Sequence, residues 1–276
     1  MRATKECGER AGQFITTKEH RRFTEFAEAV RRHRYIGLCY GPAGVGKTLS
    51  ARRYAHWDLA GEAIENWDRR PDQEKINAAL ARSRAVFYTP TVLGALRDMR
   101  RTLGELMVRV EICIEDHLYR DDNEDCRTVK NERRIEMLIL DETERLSMAA
   151  LEFVRDIFDR TGIGLILIGM PGMEKRLSRY PQLYSRVGFA HHYRPLHGDE
   201  LTFVLTRHWR QLGLTLDDAD FTDAQAIASI ARITGGNFRL LHRLFVQIER
   251  ILKINGLSVI TDDVVEAARS TLVVGI

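Results

Sequence analysis

The chain has 276 residues, 44% hydrophobic and 29% charged, with a formal net charge of +3. That length suffices for one large α/β domain plus a smaller helical one, and the weak basicity permits nucleic-acid binding without arguing for it. No stretch reaches the roughly 18 apolar residues of a membrane span, and the polar start, Met1 to Gln13, lacks the apolar core of a signal peptide.

Residues 1–13 are expected to be flexible. Phe14 to Thr17 form a short extended piece ending in an N-cap, and the apolar spacing of Phe23, Phe26, Ala27 and Val30 predicts a helix over 18–34. Its other face is basic (Arg21, Arg22, Arg31, Arg32, Arg34) and reads as solvated. Tyr35 to Tyr40 read as a buried strand. Gly41-Pro42-Ala43-Gly44-Val45-Gly46-Lys47-Thr48 follow, and a helix is predicted over 49–59. A polar stretch with Pro71 and two short helical pieces runs from Gly61 to Arg84. Ala85 to Thr89 predict the second strand, and residues 92–119 a long helix with Leu93, Leu96, Met99, Leu103, Leu106 and Val110 as its apolar stripe. Residues 120–134 read as a charged surface loop.

Ile135 to Leu140 form an apolar run of the kind found in a parallel strand buried on both faces, and the run ends in Asp141-Glu142. A helix over 148–160 has Ser147 as its cap. The strand Ile163 to Gly169 follows. Leu183 to Gly188 lead into a fifth strand at Phe189 to Tyr193, in which His191 and His192 point to opposite faces. From Asp199 onward only helices are apparent, over 199–212, 222–233, 238–254 and 262–272. Gly235, Gly236 and Gly256 stand at their ends.

Residues 41–48 fit G-x-x-x-x-G-K-[ST], the phosphate-binding P-loop. Glycines let the backbone wrap a phosphate with positive φ, successive N–H groups form an anion nest, and the following helix adds its positive end. Gly41, Pro42, Ala43, Gly44, Val45, Gly46, Lys47, Thr48 and Leu49 are therefore the candidate ATP-binding residues. Lys47 is placed to reach the β- and γ-phosphates and Thr48 to ligate Mg²⁺. Asp141, at the carboxyl end of a buried strand, is placed to hold Mg²⁺ through water, and Glu142 to polarise the attacking water. The four cysteines, Cys7, Cys39, Cys113 and Cys126, lack C-x-x-C spacing. They suggest neither a zinc site nor a redox pair and fit a reducing, cytoplasmic setting.

P-loop, acidic strand end, two further strands and a helical tail: this layout resembles the AAA+ ATPases. The resemblance implies an α/β P-loop NTPase fold with a central parallel sheet over 14–196 and a small all-α lid domain over 197–276. Leu183-Tyr184-Ser185-Arg186 and Gly236-Asn237-Phe238-Arg239 make the chain look like the transposition ATPases TniB, TnsC and the Mu phage B protein. They also occur in ExeA-type secretion ATPases and replication initiators, so the alternative is another AAA+ ATPase such as a helicase loader, a replication initiator or a secretion ATPase. By resemblance Arg186 is an arginine finger acting on a neighbouring subunit, with Arg179 its rival and a surface ion pair its plain alternative. Arg239 stands at the sensor-2 position, or is an ordinary helix-start arginine. Met170 departs from the pattern, because the fourth strand usually ends there in a polar sensor-1 residue; slow hydrolysis, or a scaffold that does not hydrolyse, would follow. The resemblance further implies a homo-oligomeric ring or filament on duplex DNA, contacts from Arg97, Arg100 and Arg101 to the phosphate backbone, and a transposase as partner. The same arginines also suit a plain solvated helix face.

Overall fold

The strands β1 (Ile36–Tyr40), β2 (Ala85–Tyr88), β3 (Met137–Leu140), β4 (Gly164–Gly169) and β5 (Val187–His192) form one parallel sheet in the order β2-β3-β4-β1-β5. The computed structural model describes residues 14–67, 72–92, 94–119, 134–217 and 219–272. Every residue of β2, β3 and β4 is buried, as expected of parallel strands covered on both faces. Parallel pairing brings the carboxyl ends of β1, β3 and β4 to one edge. The P-loop, the Asp141-Glu142 pair and Met170 leave the sheet there. The register, Tyr40 opposite Gly169 and Leu140 opposite Leu167, sets the P-loop two strands away from the acidic pair.

The chain divides into two compact units, one of residues 22–195 and 237–240 and one made mainly of residues 196–236 and 241–272. In the sheet unit, α1 (Lys18–His33) lays Phe23, Ala27 and Val30 into the core. It lies so close to β1 that a Cβ at Gly37 would sit 2.5 Å from Val30 Cγ2 and 2.6 Å from Phe26 Cζ. Thr17 caps this helix by accepting from the His20 N–H at 3.0 Å. Its basic face is more than a solvated one: Arg31 pairs with Glu28 and with Glu136 just before β3.

The helix expected over 49–59 is two helices, α2 (Lys47–Tyr54) and α3 (Trp57–Glu65), separated at His56, which adopts a left-handed φ of 53°. The break turns Trp57 into the core, where it is 1% exposed and lies against Gly61. That burial outweighs the helix propensity of the segment. α4 (Gln73–Ser83) and α5 (Leu96–Leu118) follow; α5 starts four residues later than expected and buries Met99, Leu103, Leu106, Val110, Cys113 and Ile114. Leu93, Pro71, Cys7, Cys126 and residues 1–13 and 120–133 lie outside the described residues.

After β3 come a 3-10 turn (Thr143–Arg145) and α6 (Met148–Thr161), capped by Ser147, which accepts from Ala150 N–H at 3.2 Å. Two short helices absent from the sequence reading, α7 (Met173–Leu177) and α8 (Pro181–Tyr184), occupy the stretch before β5. β5 itself starts at Val187 rather than Phe189, and its burial alternates, so His191 and His192 do face opposite ways.

The helical unit is built from α9 (Asp199–Gln211), α10 (Phe221–Thr234), α11 (Phe238–Asn255, from Leu241 on) and α12 (Asp262–Ser270). Leu241, Leu244, Phe245, Ile248 and Leu252 recur at helical spacing and form the buried stripe of α11. Asp220 and Thr261 cap α10 and α12 through their side chains. The Glu19 N–H donates to Glu200 at 3.0 Å, so the first turn of α1 belongs to this unit.

Candidate active site

The loop after β1 takes its shape from three glycines. Gly44 and Gly46 have φ of 79° and 112°, which glycine adopts without strain. A Cβ at Gly41 would lie 2.2 Å from the Tyr193 carbonyl oxygen, a backbone atom that cannot give way. Tyr193 also fixes the following helix, its hydroxyl 2.7 Å from Ser50 Oγ. The loop thus wraps inward and delivers Lys47 and Thr48 to the first turn of α2.

Lys47 is buried and its ammonium donates to the Gly41 and Pro42 carbonyls at 2.6 and 2.7 Å. Burial pushes its pKa below the usual lysine value; Cys39, Asp141 and Glu144 pull it back up and Arg239 adds to the depression. Thr48 Oγ1 donates to Asp141 Oδ2 at 2.6 Å, and Glu142 N–H donates to the other Asp141 oxygen at 2.9 Å. Asp141 is 3% exposed, and burial raises its pKa despite the hydrogen bonds from Thr48 and Glu142 and the charge of Lys47. A hydroxyl and a buried carboxylate meeting beside an ammonium make a small set of hard oxygen donors suited to a magnesium-type ion.

The residues after Asp141 are held by side chains that the sequence reading did not single out. Glu142 has a left-handed φ of 48°, uncommon for a residue with a side chain. Its carboxylate pairs with Arg145, whose Nη1 donates to the Pro90 carbonyl at 3.0 Å. Thr143 is buried and donates to the Ile168 carbonyl at 2.9 Å. Arg176 on α7 donates to the carbonyls of Thr143, Glu144 and Leu146. Glu144 Oε2 approaches to 3.0 Å of where a Gly169 Cβ would stand, so an acid occupies the end of β4. Met170, next along, is 38% exposed and offers no polar atom beyond its backbone and thioether. The i,i+3 pair Glu142–Arg145 was visible as spacing; nothing in the sequence tied Arg176 to this turn.

Arg239 is drawn to the P-loop. Its N–H donates to the Gly44 carbonyl at 3.1 Å, and Asn237 Nδ2 donates to the Ala43 carbonyl at 2.7 Å while its Oδ1 caps the first turn of α11. Asn237 is thus a P-loop contact as well as a helix cap. Arg186 goes elsewhere: it binds both oxygens of Asp159 on α6, at 2.6 and 2.9 Å, and the Gln182 carbonyl. That guanidinium holds the Asp159 carboxyl below its usual pKa. Arg179 is exposed on the turn before α8. On α5, Arg97, Arg100 and Arg101 are all exposed; Arg100 lies over the Phe153 ring at 4.9 Å and Arg101 pairs with Asp98 at 3.4 Å.

A five-stranded parallel sheet with a P-loop after β1 and an acidic pair after β3, flanked by helices and followed by a helical unit, is a P-loop NTPase fold of the AAA type. Residues 30–177, more than half of the chain, match the AAA domain family, and the chain belongs to that family. A Staphylococcus aureus protein described as a potential ATP-binding protein is 42% identical over 265 residues, covering 95% of this chain and 97% of the relative. Among solved structures, the Thermotoga maritima RuvB Holliday junction branch migration motor matches with a TM-score of 0.57 at 20% identity over 94% of this chain and 70% of its own. The Aeropyrum pernix ORC2 protein, in ADPNP–ADP complexes, matches with a TM-score of 0.50 at 17% identity over 89% of this chain and 66% of its own. Among the described residues no helix is long and apolar enough to cross a membrane.

Proposed function

We propose that the protein is an ATP-dependent, sequence-independent DNA-binding regulator of transposition that assembles as a ring or filament on duplex DNA, recruits a transposase, and uses ATP hydrolysis as its switch. The observation that carries the nucleotide part is the Thr48–Asp141 hydrogen bond beside the buried Lys47 ammonium. Lys47 exchanges the carbonyls of Gly41 and Pro42 for β- and γ-phosphate oxygens, and the N–H groups of residues 44–49 point at the same phosphates. Thr48 and Asp141 would hold Mg²⁺, whose charge makes the γ-phosphorus more electrophilic. Glu142 takes a proton from the attacking water as the water oxygen bonds to the γ-phosphorus and the bond to the β,γ-bridging oxygen breaks; ADP and phosphate leave.

Arg186 acts on the γ-phosphate of a neighbouring subunit and Arg239 on that of its own. Met170 leaves one usual polar contact unmade, so turnover is slow, which suits a timed switch better than a motor. The DNA part is supported by the exposed arginines Arg97, Arg100 and Arg101 and by the fold shared with RuvB, described as a branch migration motor. The transposition part rests on the likeness to TniB, TnsC and the Mu phage B protein.

Binding to duplex DNA of arbitrary sequence, measured with and without ATP across a salt series, is the test. The expected result is ATP-stimulated binding that weakens steeply with salt and is lost, with assembly, in Lys47→Ala. If ATP changed neither DNA affinity nor oligomeric state, the proposal would be wrong. Preference for one DNA sequence would favour a replication initiator instead.

A further inference from the structure

We infer that the end of α1 and the residue leading into β1 form a binding site for single-stranded nucleic acid, in which His33 and Tyr35 stack on unpaired bases and Arg32 and Arg34 meet the phosphates. The inference goes beyond the proposed duplex binding and does not rest on it. Arg32, His33, Arg34 and Tyr35 are consecutive and all exposed, and Tyr35 leaves 47% of its surface open to water. A large ring so exposed has a face to offer, and every base has a π-face to receive it.

The rings are held in place by the fold. His33 and Tyr35 are nearly parallel, 14° apart with centroids at 6.1 Å, and both pack on Phe189 of β5, at 5.8 and 5.6 Å. Gly188 lets the Tyr35 ring lie directly on the β5 backbone: a Cβ there would stand 2.5 Å from Tyr35 Cδ2 and 2.6 Å from Cγ. Arg34 closes α1, its N–H donating to the Val30 carbonyl at 2.8 Å, and its left-handed φ of 54° turns the chain at once into β1. The platform is therefore formed before any ligand arrives, which lowers the cost of binding.

The charges beside the rings are available. Arg31 is taken up by Glu28 and Glu136, whereas among the described residues Arg32 and Arg34 have no carboxylate partner. In a chain of net charge +3, two such guanidinium groups in three residues concentrate positive potential, and their forked donors suit phosphate oxygens. In a duplex the base faces are already stacked on one another, so arginines interleaved with open rings select a strand whose bases are unpaired. The site is also separate from the arginines of α5. Tyr35 stands at the amino edge of the sheet, α5 begins beyond the carboxyl end of β2, and a strand's length of roughly 15 Å or more divides the two edges.

The experiment is fluorescence anisotropy of a labelled oligothymidylate titrated with the full chain, without nucleotide and across a salt series, in wild type, Tyr35→Ala, Tyr35→Phe and the double variant R32A/R34A. Unlabelled duplex DNA and polyglutamate serve as competitors. Tyr35→Ala is expected to bind about tenfold more weakly, while Tyr35→Phe, which keeps the ring, binds like wild type. The double variant should bind more weakly with a log–log salt slope shallower by about 1.4, the equivalent of two phosphate contacts on a single strand. Wild-type affinity in Tyr35→Ala, or no binding by wild type, overturns the site. Displacement by duplex or by polyglutamate as effective as by unlabelled oligothymidylate overturns it too, the latter assigning the surface to an acidic protein segment. Should Tyr35→Ala fold poorly, the arginine variant decides, and an unchanged slope rejects the inference. Because no ATP is present, failure of ATP-stimulated duplex binding would refute the proposed function and leave this result standing, and the reverse holds as well.

Discussion

The charged residues of the site are under tension in opposite directions. Burial disfavours the ammonium of Lys47 and the carboxylate of Asp141 alike, and each partly relieves the other. A phosphate bound between Lys47 and the loop amides supplies the counter-charge that the ammonium lacks, and a magnesium-type ion bound with it would supply that of the carboxylate, which is the physical reason to expect tight nucleotide binding. Lys47, Thr48, Asp141 and Glu142 were legible in the sequence because a loop of fixed spacing and an apolar run ending in acids are local patterns. Arg176, Asn237 and the Arg145–Pro90 bond were not, because they join segments far apart in the chain. A second titrating group stands in the helical unit. His208 stacks on Phe245 with ring centroids 4.5 Å apart, and its pKa falls from 6.5 to about 4, first from burial and then from the charge of His242. The folded protein therefore disfavours the imidazolium, and the unfolded chain binds more protons between these values. Stability contributed by neutral His208 is complete above about pH 6.5 and is lost as pH falls towards 4. Against His208→Phe, which keeps the stack, wild type is expected to lose up to about 3 kcal/mol more over that interval, read from urea unfolding at each pH. Parallel curves for the two proteins would contradict the assignment.

Elements were predicted best where one period dominates. β3, β4, α6 and the helices of the C-terminal unit lie within a few residues of their expected bounds, because burial on both faces or along one stripe leaves a strong pattern. The break at His56 escaped notice because its cause is tertiary: Trp57 and Gly61 pack ring against backbone, and no proline or glycine marks the split. α7 and α8 were missed for being shorter than any period can declare. The contact of α1 with β1 can be probed with glycine. In Gly37→Ala the new methyl collides with Val30 and Phe26, and the expected cost is about 1–3 kcal/mol. Gly104, inside α5, is the control: a Cβ there meets nothing within 4 Å, so Gly104→Ala should stabilise by about 0.5–1 kcal/mol. Thermal melts of the two variants should therefore move in opposite directions from wild type. A shared direction would mean that α1 does not pack on Gly37 as described.

At the scale of the molecule, Lys47 and Arg239 stand at the P-loop of the single chain, whereas Arg186 is engaged elsewhere. Arg186 is held by Asp159 and Gln182, so a finger role requires it to give up that bidentate pair for a phosphate offered by another copy. Assembly would then recover in the new contact what is lost from Asp159. The test is complementation between two variants that are each defective. Arg186→Ala keeps its P-loop and Glu142 but brings no arginine to its neighbour, and its turnover should drop on the order of 100-fold or more. On the proposed roles, Glu142→Gln is expected to bind ATP and bring Arg186 but not to activate water. Mixed in ATP, the two are expected to form junctions in which the intact nucleotide site of one faces the intact arginine of the other. Turnover of the mixture should rise well above the sum of the two alone and pass through a maximum as their ratio is varied. A mixture that never exceeds that sum would leave Arg186 as the α6 clamp seen in the single chain, and the switch would have to be complete within one subunit.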